Sequence, residues 1–314
     1  MRERECFQMP TPTWVAVTRP RYAWSKERKA AKRNNGNRDG TTGSPNVYLP
    51  AADFACLPVR DSCARPMWFF DRTLRFFVDN FPSWPALLAG APLALSWSFA
   101  CLWIAARLKS NGARTGYTRK TFHFLVFTTV ALLQWRAGIA TVCLFGGMCT
   151  LVVFLAVWRG PGDMLYEALA REKDEPRRTF FILVPYFTTL VGGLLSNILF
   201  GPLALAGYLV AGLGDAIGEP VGTAFGRHPY RVPSLAAVPA TRTLEGSAAV
   251  FVASLAALAL TAAILPGISL SSAWPWRLSL IALLATLVEA ISPHGWDNAT
   301  MQIVPTALVS LWLT

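Results

Sequence analysis

Residues Gly212–Gly226 read GLGDAIGEPVGTAFG and place two carboxylates, Asp215 and Glu219, at the end of a long apolar stretch. An ionisable side chain in membrane-helix surroundings is costly to bury, so it is a functional-site candidate by default. The four-residue spacing puts both acids on one face of a helix. Gly214, Gly218, Gly222 and Gly226 recur at the same interval and leave a ridge free of side chains beside them. Bare backbone next to carboxylates suits a metal-bound phosphate, because nothing blocks its close approach. A small-xxx-small packing ridge between membrane helices also accounts for the glycines, but accounts poorly for the acids.

Other polar residues punctuate an otherwise apolar chain. Arg119, Lys120 and His123 open one apolar segment, and Arg231, Arg242, Thr243, Glu245, Gly246 and Ser247 lie in a connecting loop and the helix start that follows it. Glu289, Asp297 and Asn298 bracket the turn between the last two segments. Carboxylates and an Asn oxygen are hard ligands of the kind Mg²⁺ uses when it also holds substrate phosphates. Arg engages phosphate bidentately, and the free backbone N–H groups at the start of the helix near Thr243 can receive an anion. Phosphoryl transfer asks little more of a protein than positioning and charge stabilisation. Each element has a plainer role as well. Arg119 and Lys120 suit flank anchors, Thr243 and Glu245 suit a helix cap, and Glu289 and Asp297 can pair with loop cations. His123, His228 and His294 fall on the same face, but their spacing matches no zinc pattern.

The elements that must hold these residues are membrane helices. Of 314 residues, 53% are hydrophobic and 15% charged, and apolar runs recur over 86–107, 122–135, 137–158, 180–199, 202–225, 246–266, 276–292 and 298–314. Runs of about 20 apolar residues fit a multi-pass integral membrane protein, an all-α bundle of seven or eight spans. The runs are continuous and not alternating, which tells against a β-barrel. Arg and Lys concentrate in the connections after the first, third and fifth segments, so the positive-inside rule makes the face with the polar residues cytoplasmic. The six cysteines form no CxxC pair and indicate neither a zinc site nor a disulfide framework.

Residues 1–66 differ in kind. They hold twelve Lys/Arg against six Asp/Glu, which is +6 of the chain's +11. Their prolines and polar runs leave little prospect of a packed core. The expectation is a basic, disordered, non-catalytic tail, with Met67 a candidate native start and 67–314 the catalytic domain. Met67 begins an amphipathic segment, MWFFDRTLRFF, that leads into the first span.

Taken together, the motifs resemble those of the polyprenol kinase family, the membrane enzymes that include dolichol kinase and phytol kinase. The resemblance covers roughly residues 107–314. Arg119-Lys120-Thr121-Phe122-His123 is similar to the family's RKxxH entry motif, and Gly214–Gly222 with Phe225-Gly226 to its GD segment. Thr241–Ser247 is similar to its K-S/T-x-E-G-S/T element, and Glu289, Asp297-Asn298 and Pro305 to its closing element. Arg242 departs from the common Lys, and Glu219-Pro220 is unusual within the GD segment. The resemblance implies transfer of a phosphoryl group from CTP, with ATP or UTP as other donors, to a long-chain isoprenoid alcohol.

On this reading Asp215, Glu289 and Asp297 hold Mg²⁺ with Asn298 assisting. Lys120, Arg231 and Arg242 bind the nucleotide phosphates, with Glu245 and Ser247 beside them, and Gly214, Gly218 and Gly222 give backbone room. Asp215, Glu219 and His123 are the candidate general bases. Expected partners are the nucleotide, the lipid alcohol and membrane lipids, with no nucleic acid and no obligate protein partner. A phosphatidate cytidylyltransferase-like enzyme uses the same charges to form a CDP-lipid. An ion-coupled transporter would use Asp215, Glu219 and Glu289 as an ion path.

Overall fold

The computed structural model describes residues 65–234, 238, 240–268 and 274–314. The expected basic tail lies outside the described residues except for its last two. The described chain is helical, apart from one short hairpin. Helix α1 (Arg65–Asp79) is amphipathic and precedes α2 (Trp84–Ser110), which has proline in its first turn and Arg107 and Lys109 in its last. Both features suit helix ends, since an early proline loses no hydrogen bond and late cations face the exposed carbonyls. Helix α3 spans Thr115–Arg136. It begins about two turns before its apolar run because the polar residues ahead of that run, Arg119 and Lys120 included, continue the helix. Helix α4 (Ile139–Arg159) ends at Gly160, and α5 (Met164–Leu169) is capped by the Asp163 carboxylate, which accepts from the Leu165 N–H.

Helix α6 (Phe180–Phe200) stops at Gly201, which adopts φ 56°. A side chain resists that left-handed conformation and Pro202 follows directly, so the chain turns here. It then runs as α7 (Ala204–Val210), a π-helical turn (Ala211–Asp215) and α8 (Ala216–Phe225). The Asn197 amide donates to the Tyr208 hydroxyl at 2.6 Å across this reversal, which makes α6 and α7 antiparallel neighbours. Strands β1 (Pro229–Val232) and β2 (Ala240–Thr243) pair antiparallel with Tyr230 opposite Arg242. This hairpin is an addition to the expected all-α fold. Helices α9 (Leu244–Ile264), α10 (Trp274–Ile291) and α11 (Asp297–Trp312) complete the chain. Thr243 caps α9 by accepting from the Gly246 N–H at 3.1 Å.

Four segments are long and apolar enough to cross a membrane: Trp84–Ser110, Ile139–Arg159, Phe180–Phe225 and Leu244–Ile264. Small residues let these helices approach closely. The glycine ridge of α8 belongs to this packing. A Cβ on Gly214 would stand 2.8 Å from Ser254 Oγ, and one on Gly218 would stand 2.5 Å from Val250 Cγ2, both on α9. One on Gly222 would meet Thr243 Oγ1 at 2.7 Å. The room beside these glycines is therefore largely taken by the neighbouring helix and its cap.

The closest approach is at Gly207 of α7, where a Cβ would lie 2.2 Å from the backbone oxygen of Gln302 on α11. A backbone atom cannot rotate away. Gly207→Ala is expected to cost about 3 kcal/mol, the upper part of the overpacking range. Gly147→Ala, where a Cβ meets nothing within 4 Å, is expected to leave stability unchanged. Thermal unfolding of the two variants in detergent micelles tests the contrast.

Candidate functional site

One end of the bundle holds a polar cavity of about 200 Å³ between α3, α8, α9 and the α10–α11 turn. Its acidic wall comes from three separate elements. Asp215 closes the π-helical turn, Glu289 lies near the C-terminus of α10, and Asp297 begins α11. All three are nearly buried, and they offer carboxylate oxygens that lie within 4.8 Å of one another. Like charges at that separation repel by on the order of 3–4 kcal/mol per pair at an effective dielectric of about 20. Two cations offset part of this. Lys120 Nζ sits 2.6 Å from Asp215 Oδ2. Arg242 reaches Glu289 Oε1 with Nε and Asp297 Oδ2 with Nη2, each at 2.7 Å, and also donates to the Glu289 backbone carbonyl. Three carboxylates against two cations leave one negative charge, and the buried Glu289 Oε2 has no hydrogen-bond partner.

The opposite wall is basic. Glu219 faces Arg171 Nη1 at 3.1 Å, Arg119 Nη2 at 3.4 Å, Lys173 Nζ at 3.6 Å and Lys120 Nζ at 3.9 Å. Asp174 grips Arg171 through two hydrogen bonds of 2.8 and 3.0 Å, and His294 also contacts the guanidinium. Counting Arg119, Arg171 and Lys173 against Glu219 and Asp174, this wall carries one surplus positive charge. The cavity is neutral overall but polarised, with its negative end at the three acids. A cation at one end and an anion at the other would complement it.

Arg171, Lys173 and Asp174 escape the sequence reading. Their stretch, Arg171-Glu172-Lys173-Asp174-Glu175-Pro176-Arg177-Arg178, looks like a solvated charge run, and Arg171 and Lys173 count there only toward membrane orientation. Burial alone would raise the Asp174 carboxyl, but the His294 imidazole and the Arg171 guanidinium outweigh it and hold the group at about 2. The stability this carboxylate contributes is therefore fully present above about pH 4 and is lost as pH falls through about 2. Asp174→Asn is expected to destabilise the protein by about 3 kcal/mol at neutral pH, because it leaves a buried Arg171 underpaired. The gap between wild type and variant should close as pH falls from 4 toward 2, which unfolding midpoints along a pH series would show.

The remaining expected site residues divide clearly. Gly218, Gly222 and Ser247 line the polar cavity, and Ser247 Oγ is 2.7 Å from the Tyr230 hydroxyl. Gly214 does not line it. Asn298 turns the other way, its amide donating to Pro185 O and Thr189 Oγ1 at 2.9 Å each. Arg231 and Glu245 stand apart from the cavity: Arg231 is exposed on β1, and Glu245 Oε1 pairs with His228 Nδ1 at 2.7 Å. His123 lies at the inner edge, its Nε2 3.1 Å from Ala211 O and 3.5 Å from Asp215 Oδ2, with its ring stacked on Phe127. The three histidines do not converge. Among the described residues, Asp215, Glu289 and Asp297 form the group with metal-ligand spacing.

Beneath the polar cavity lies a second, largely apolar one, which shares Arg119, Lys120, Asp215 and Asp297 with it. The acids and cations thus stand at the junction between a polar and an apolar compartment. Comparisons with protein-family models, with curated proteins and with solved structures returned no match.

Proposed function

We propose that this chain is a multi-pass membrane enzyme that transfers a phosphoryl group from a nucleotide, CTP foremost, to the hydroxyl of a long-chain lipid alcohol. The observation that carries the reading is the junction itself, a polarised acid–base cavity opening onto an apolar one across Asp215 and Lys120. Asp215, Glu289 and Asp297 suit a divalent cation: their oxygens converge, they exceed their cations by one charge, and Glu289 Oε2 lacks a partner. Mg²⁺ held there would supply charge neutralisation to phosphate oxygens. Arg119, Arg171 and Lys173 then bind the phosphates, in place of the expected Arg231. Asp215 and His123 line the apolar side and hold the alcohol hydroxyl where it meets the phosphate.

The topology in this reading has eight crossings. Phe180–Phe225 supplies two of them by reversing at Gly201, and α3, α10 and α11 join the other apolar segments. The basic connections at 107–120 and 159–178, with Arg227, Arg231 and Arg242, are read as sharing the cavity's end, which the positive-inside rule makes cytoplasmic. Lys120, Glu289 and Asp297 lie near helix ends, away from the bilayer midplane where a transporter gathers its ion path.

The test is purified protein in nanodiscs with CTP, ATP or UTP and a panel of lipid alcohols. A kinase forms nucleoside diphosphate and lipid phosphate, whereas release of pyrophosphate with a CDP-lipid would assign a cytidylyltransferase instead. Because the cavity is neutral, a triphosphate gains little from it without a counter-cation. Nucleotide binding is expected to weaken by about tenfold or more in EDTA and to recover with Mg²⁺, as read by equilibrium binding of labelled CTP.

A further inference from the structure

The apolar compartment does not end beneath the acids. It shares Phe127, Cys149, Tyr186 and Thr189 with a third cavity of about 320 Å³, which runs between α3, α4 and α6 and reaches Phe76 and Phe77 of α1. On α4 the lining extends from Val153 to Ile139, which is about 20 Å at the helical rise of ~1.5 Å per residue. The upper part is the smaller, at about 90 Å³. At the far end, α1 is tied down by Arg72, which donates to Ile198 O at 2.6 Å and Leu199 O at 3.0 Å, the last carbonyls of α6. Phe76 and Phe77, which pack edge to face, line that end.

We propose that these cavities form one channel for a single apolar chain whose terminal hydroxyl sits at Asp215 and His123, and that Phe76 and Phe77 close its floor and set the longest chain accepted. The occupant follows from the continuity of the lining. A polar mouth above a small upper cavity suits one tail bearing a hydroxyl better than two tails entering together. At about 20 Å the channel is shorter than the ~30 Å hydrocarbon core, so the protein itself stops the chain before the far interface. The hydroxyl and its phosphorylation rest on the proposed kinase reading; the channel rests on the cavities alone.

The experiment uses the full chain in nanodiscs and a series of primary alcohols of rising chain length, each with a diazirine at the end remote from the hydroxyl. Turnover is expected to rise with length until the channel is filled and then to fall by about tenfold or more. Phe76→Ala with Phe77→Ala should remove that fall. Gly147→Leu should lower the cutoff, because Gly147 lines the channel midway and faces open space. Irradiation should place the label from a channel-filling alcohol on the peptide containing Phe76 and Phe77. Label on that peptide without turnover would uphold the channel and overturn the kinase reading. Turnover with a flat length profile and no label there would overturn the channel alone. Neither turnover nor label would overturn both.

Discussion

On the proposed kinase reading, Asp215→Asn is expected to reduce lipid phosphorylation by about 10³-fold while Mn²⁺ binding, read by electron paramagnetic resonance, is lost in parallel. The substitution keeps the size of the side chain and removes only its charge. That charge faces Lys120 Nζ at 2.6 Å and His123 Nε2 at 3.5 Å, and it stands close to the other two acids of the wall. Glu289→Gln and Asp297→Asn should each weaken the metal as well. Both are also tied to Arg242, so their loss frees that guanidinium and disturbs the α10–α11 turn. A common loss of metal and turnover across the three variants is the signature of one centre. Retention of more than about a tenth of wild-type turnover by Asp215→Asn, in a protein that still folds, would sink the metal-centre reading.

Arg171→Met should raise the KM for the nucleotide by about 100-fold, equivalent to roughly 2–3 kcal/mol of lost charge-assisted binding. It should also cost about 3 kcal/mol of stability, since Asp174 and Glu219 would each lose a buried partner. The two effects separate in a double variant. Arg171→Met with Asp174→Asn removes the buried pair together, so stability should recover in part while nucleotide affinity stays low. Arg171→Lys should restore the charge without the planar grip on Asp174 and give an intermediate KM. A double variant that recovered nucleotide affinity along with stability would make Arg171 a structural residue only.

Parts of this site were legible in the sequence because they were costly. Asp215, Glu289, Lys120 and Arg242 sit in or beside apolar stretches where a charge has to be compensated, and in the structure they meet. Arg171 and Asp174 were hidden for the opposite reason. Among so many charged neighbours, a buried ion pair looks no different from a solvated one. Arg231 was misplaced because the loop forms a hairpin, and alternation along a strand sends neighbouring residues to opposite faces. Glu245 was misplaced because the first turn of α9 turns it to His228. The glycine spacing was visible but ambiguous. Only the position of α9, with Val250 and Ser254 against the ridge, shows that most of it serves packing. The helices themselves were readable to within a few residues from the apolar runs, although the polar opening turns of α3 fell outside any hydropathy criterion.

The π-helical turn at Ala211–Asp215 gives one leg of the bundle two orientations. A π turn accommodates one residue more than an α-helical turn, so everything after it is rotated relative to what came before. The half before the turn shows its small residues to α11, where Gly207 rests on Gln302, and the half after it shows Gly218 and Gly222 to α9 and its cap. A regular helix of the same composition would aim both sets in phase and satisfy only one neighbour. The offset also swings Asp215 toward Lys120 and away from the ridge that precedes it. Deleting Gly212 should therefore act as a phase error: hydropathy would be unchanged, yet the carboxylate would be turned off its partners.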